Sequence, residues 1–67
     1  MMFSIYTHDA WGLVPVGDYA SLEEAQTAFS ALCDDPWYRA DGTVKGLELV
    51  EICGAGERRR LAWFGFQ

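Results

Sequence analysis

Residues 2–8 alternate in polarity: Phe3, Ile5 and Thr7 fall on one side, Ser4, Tyr6 and His8 on the other. A period of two belongs to a strand, and the Phe3/Ile5 side is the one expected to face a core. The segment 9–12 reads as a hairpin connection, with Gly12 free to take positive φ, followed by a short strand over 13–16. Pro15 has no amide hydrogen to give a ladder, so this second strand belongs at a sheet edge.

The pattern then changes period. Leu22, Ala25, Phe29, Leu32 and Cys33 recur at helical spacing, and Glu23, Gln26, Thr27 and Ser30 fill the other side. Ser21 followed three residues later by Glu24 is a capping-box signature, so the spacing predicts a helix over 21–33. Asp34, Asp35 and Pro36 are expected to end it, because the residue before a proline resists helical angles. The segment 34–43 reads as a loop carrying Trp37 and Tyr38, with a turn at Asp41 and Gly42.

Residues 44–53 predict a third strand and 58–66 a fourth, joined by a tight turn over 54–57. Alternation slips in the third strand, where Leu47 and Leu49 share one side and Val50 and Ile52 the other. A bulge at Gly46 or at the Leu49–Val50 step would re-aim the second half. In the fourth strand, strict alternation puts Arg60 with Ala62, Phe64 and Phe66, and Arg59 with Leu61 and Trp63.

The order is β-β-α-β-β. We expect a single small α+β domain over 1–67, a four-stranded antiparallel sheet with one helix packed on one face. Antiparallel pairing of strands 1 and 3 gives the spatial order 2-1-3-4, with 2-1-4-3 as the alternative. One helix covers one face. What remains is Tyr6 with either Val50, Ile52, Phe64 and Phe66 or Leu47, Leu49 and Trp63, a patch that reads as an interface unless the Trp37–Tyr38 loop folds over it.

Composition narrows the classes. The chain has 67 residues, 51% of them hydrophobic and 15% aromatic, which excludes a disordered chain. No apolar run approaches the roughly 20 residues of a membrane-spanning helix, and residues 1–6 do not read as a signal peptide. Two cysteines without paired Cys/His spacing suggest neither a disulfide framework nor structural zinc, so reduced thiols in a cytoplasmic protein are expected.

The search for catalytic chemistry gives little. Ser21 is explained as a cap, and His8 beside Asp9 points to the opposite side of its strand. Asp34, Asp35 and Asp41 lack the ligand spacing of a calcium loop. Gly54 and Gly56 precede a strand and not the helix N-terminus that holds phosphate. The expectation is therefore no enzyme, no cofactor and no metal.

Charge singles out one block. The formal charge is −5, yet three of the five bases are consecutive, Arg58, Arg59 and Arg60. Interleaved with Trp63 and Phe66, they suit a platform for single-stranded nucleic acid. Without them the chain carries two bases against ten acids, −8, which opposes binding to a phosphate backbone. Pairing with Glu48, Glu51 or Glu57 across the hairpin is the simpler expectation.

The reading is thus a non-catalytic, intracellular binding or accessory protein, an inhibitor or adaptor of bacterial or phage type, whose acidic surface suits a basic protein target. Trp37, Tyr38, Arg58, Arg59, Arg60, Trp63, Phe64 and Phe66 are the candidate interface. A homodimer through the fourth strand or the open sheet face is a further expectation. Binding of single-stranded nucleic acid is the alternative.

Overall fold

Residue Ser21 starts the only long helix. Its hydroxyl accepts the Glu24 amide at 3.2 Å and donates to the Glu24 carboxylate at 3.1 Å, so cap and third residue hold each other. Around this helix the computed structural model describes residues 2–66, with the Asp41 side chain outside the description. The elements are β1 (Met2–Asp9), β2 (Gly12–Tyr19), α1 (Leu22–Cys33), α2 (Pro36–Asp41), β3 (Val44–Ile52) and β4 (Arg58–Gly65). All strand pairs are antiparallel and the sheet order is β2-β1-β3-β4. The protein is an α+β domain of two layers, as the hydrophobic pattern implies.

The core lies between α1 and the two central strands. Phe3, Ile5, Leu47, Leu49 and Ala25 form its buried cluster, with Phe29, Leu32, Cys33, Leu61, Ala62 and Phe66 packed partly buried around it. The i, i+3, i+7 stripe of α1 therefore does face the sheet. Leu22, the first member of the stripe, is exposed instead.

Three expectations need correction. The segment 34–43 is not a loop, because it contains α2. Asp35 caps that helix by accepting the Trp37 amide at 2.8 Å, Pro36 occupies its first turn, and Gly42 closes it in the left-handed conformation at φ 79°. Asp-Pro ends one helix and starts another, since proline needs no amide partner at a first helical position. Nor does this segment fold under the sheet's free face: Tyr38 stacks on Phe66 at 6.1 Å, and Phe66 packs against the α1-side core.

The strand over 13–16 is longer than expected. β2 runs from Gly12 to Tyr19, paired with β1 throughout except at one irregularity, where Ile5 faces Gly17 and Tyr6 faces Pro15. Val16 is the extra residue. A bulge beside the proline lets the strand continue past a residue that cannot donate.

The faces of β4 are also reassigned. Leu49 faces Ala62 but Val50 faces Arg60, so Leu61 is an extra residue in β4. Beyond this bulge every side chain changes sides relative to strict alternation. Phe64 and Ala62 share the α1 face with Leu47 and Leu49, whereas Arg60 shares the outer face with Trp63. A second irregularity adds Lys45 to β3 opposite the His8–Asp9 step, next to Gly46.

Leu47 is fully buried and Leu22 is exposed, so the two leucines separate core from rim. Leu47→Ala should cost about 2–5 kcal/mol in urea unfolding, comparable with the whole stability of a domain this small. Leu22→Ala should cost well under about 1 kcal/mol. Equal losses would contradict this assignment.

Candidate functional site

The outer face of the sheet carries Ser4, Tyr6 and His8 from β1, Glu48, Val50 and Ile52 from β3, and Arg58, Arg60 and Trp63 from β4. Glu48 is its centre. This carboxylate is 13% exposed and lies 2.7 Å from Arg60 Nε and 2.8 Å from His8 Nε2. An ionised carboxylate only accepts, so the His8 Nε2–H donates to it, as does Arg60. Burial alone would raise the Glu48 pKa, but the hydrogen bonds and charges of Arg60 and His8 outweigh that cost and hold it below the usual glutamate value.

Aromatic rings complete the layer. The Trp63 ring meets His8 edge-to-face at 4.7 Å, and the Arg60 guanidinium lies over the same indole at 5.2 Å. Arg58 lies over the Tyr6 ring at 5.1 Å. To reach β1 from β4 its side chain spans β3, and Val50 on that strand is buried. Gly46 makes room for the indole: a Cβ there would come within 2.4 Å of the Trp63 ring. Ser4, buried on the same face, donates to Asp18 across the β1–β2 pair.

The outer face is therefore a mixed surface and not the apolar sheet foreseen, with Trp63 45% exposed beside its arginine. Neither apolar set foreseen for it survives the bulge: Phe64 and Phe66 turn inward with Leu47 and Leu49, and Trp63 turns outward with Val50 and Ile52. The arginine run is engaged along its length, through Arg58 on Tyr6, Arg59 on Glu51 at 3.5 Å and Arg60 on Glu48. Pairing across the hairpin to Glu48 and Glu51 is what the geometry shows. Arg59 is mostly exposed, so its pair contributes little.

The candidate interface residues separate into two groups. Arg58, Arg60 and Trp63 belong to the outer layer. Tyr38, Phe64 and Phe66 gather on the other side, where Phe64 and Phe66 meet edge-to-face at 5.2 Å and Arg39 joins them around a cleft of about 160 Å³. Trp37, 63% exposed, stands against Tyr38 at 5.0 Å.

One surface was missed by sequence reasoning. Trp11 at the tip of the β1–β2 hairpin is 83% exposed, and Leu13, Val14 and Val16 along β2 are exposed as well. Asp9 holds the tip by accepting the Trp11 amide at 2.8 Å. The signal was present: residues 10–17 form an uncharged stretch in a strand that Pro15 assigns to an edge.

For catalysis the arrangement offers little. Among the described residues no group of three or more His, Cys, Asp or Glu side chains is placed to hold a metal. Burial, and secondly the Asp34 charge, raise the Cys33 pKa against the opposing effect of Arg39, which leaves a protonated thiol and not a nucleophile. No protein-family model, no curated protein and no solved structure matches the chain.

Glu48→Gln should destabilise the protein by about 1–2 kcal/mol at neutral pH, since charge-assisted hydrogen bonds become neutral ones. Because the folded-state pKa lies below the unfolded value of about 4.3, this contribution is present above that pH and is lost as pH falls through the folded value. The wild-type and Gln unfolding curves should therefore converge under acid. A difference that persists or grows there would contradict the ion-pair account.

Proposed function

We propose that this chain is a non-catalytic binding module, an inhibitor or adaptor acting in the cytoplasm through protein–protein contacts. The observation that carries the reading is the β1–β2 hairpin, whose Trp11, Leu13, Val14 and Val16 are exposed on an edge strand. Leu13 and Val14 project to opposite faces, so the exposed apolar side chains wrap the edge of β2, and exposed apolar surface gathered on one element is the usual mark of an interaction surface. Pro15 and the bulge at Val16 blunt hydrogen bonding along this edge, so side chains and not added strands would dominate the contact. Two unpaired cysteines fit a reducing compartment, and no helix among the described residues is long and apolar enough to cross a membrane.

The nucleic-acid alternative draws less support. A base needs an open aromatic face, and those of Tyr6 and Trp63 already carry guanidinium groups. Arg59 and Arg60 are also paired with glutamates, which reduces the charge left for phosphate.

Capture from native cytosol on immobilised wild-type protein, followed by titration of the purified partner, tests the reading. Val14→Lys places a charge on an exposed position, and should weaken the partner about tenfold or more while circular dichroism is unchanged. Arg59→Ala should leave binding intact. Sedimentation equilibrium serves as a control, since a second copy on β2 would occupy the partner's edge, whereas one on β4 would leave it free. Partner binding indifferent to Val14→Lys, or saturable quenching of tryptophan by mixed-sequence oligonucleotides at physiological salt, would contradict the proposal.

A further inference from the structure

Charge is divided unevenly along the chain. Residues 1–38 contain six acids, Asp9, Asp18, Glu23, Glu24, Asp34 and Asp35, and neither lysine nor arginine. All five bases come from Arg39 onward, where four acids offset them. The net charge of −5 thus resides wholly in the half that supplies β1, β2 and α1. A split of this kind between the halves of one domain fits a partner of opposite sign.

That half also contains a depression larger than the cleft beside Phe64 and Phe66. A trough of about 400 Å³ runs along α1 beside the end of β2, lined by Tyr19, Glu23, Glu24, Thr27, Ala28 and Ala31. Its floor is small and apolar, because Ala28 packs toward the core and Ala31 is exposed beside it. Tyr19 borders the trough, folded back over Gly17, where a Cβ would lie 3.0 Å from the phenol oxygen. Glu23 and Glu24 stand at one end, and neither forms an ion pair among the described residues.

We propose that this trough receives a basic segment of the partner protein, with the stem of a lysine or arginine lying on Ala28 and Tyr19, its charged head at Glu23 and Glu24, and the neighbouring residues of the segment over Ala31. The inference rests on the protein-binding reading and specifies the chemistry of its partner. Long cationic side chains cover apolar surface with their methylenes while keeping the head in water, which is the combination this floor and rim offer. A tyrosine ring beside the stem adds a face for the cation. From Glu23 to Ala31 is about 12 Å along the helix axis, room for roughly four residues of extended chain. An anionic ligand, nucleic acid included, would meet like charge throughout this half.

The test is a titration of isotopically labelled protein, followed by backbone amide shifts, with a short peptide of alternating lysine and leucine. Its glutamate–leucine counterpart serves as control. The lysine peptide should shift the amides of Glu23, Glu24, Thr27, Ala28 and Ala31 saturably, and its affinity should fall about tenfold from low to physiological salt. Glu23→Lys, an exposed substitution, should abolish the shifts, and so should Ala31→Lys, which fills the trough with its own cation. Shifts centred on Glu48, Glu51 and Glu57, the absence of saturable shifts, or equal binding of the acidic peptide would overturn the inference. A cytosolic partner that depends on Val14 yet ignores Glu23→Lys would overturn it too, while leaving the protein-binding reading in place.

Discussion

A single twelve-residue helix must cover a four-stranded sheet, and the rest of the molecule follows from what that helix leaves uncovered. It closes the α1 face over Phe3, Ile5, Leu47 and Leu49. The outer face and the β2 edge are left to solve the same problem without a second layer. The outer face is partly covered by its own side chains: Arg58 lies over the Tyr6 ring, and Arg60 lies over Trp63 while Glu48 holds its guanidinium. The β2 edge has no such cover. There Trp11, Leu13, Val14 and Val16 remain in water.

The extra residue at Leu61 makes the first solution possible. Strict alternation in β4 would send Arg60 inward with Ala62 and Phe64, leaving Trp63 outside with Arg59 and Leu61. The bulge instead brings Leu61 and Ala62 both against the core and Arg60 and Trp63 both outward, next to Glu48. Gly46 then gives the indole a seat that any other residue would fill. Glu48 bears the desolvation cost of this arrangement, and His8 and Arg60 more than offset it. A layer of this kind is stable only while each polar group in it is satisfied, and no buried side-chain nitrogen or oxygen lacks a partner among the described residues.

Periodicity was enough to read the four strands and α1 in their order, the α1 cap at Ser21, the edge position of β2 and the sheet order. Those features depend on local spacing and on what proline cannot do. The faces of β4 were not legible, because one inserted residue shifts the phase of everything after it and composition does not mark the insertion. The helix α2 was hidden for a different reason: aspartate followed by proline is a stop signal and a start signal at once. The arginine run was read correctly as pairing with Glu48 and Glu51, since the hairpin brings charges of opposite sign together. His8 was set aside because Asp9 points to the opposite side of its strand; its partner Glu48 lies forty residues away, and only the β1–β3 register joins them.

Arg58 and Arg60 shelter Tyr6 and Val50 on the outer face, whereas the β1–β2 hairpin stays open. Hydroxyl-radical footprinting of the free protein measures this residue by residue. Trp11 should be modified far faster than Trp63, and Tyr6 and Val50 should be protected despite lying on the face without a helix. Modification of Tyr6, Val50 and Trp63 as readily as Trp11 would mean that the outer face is open, and would contradict the account.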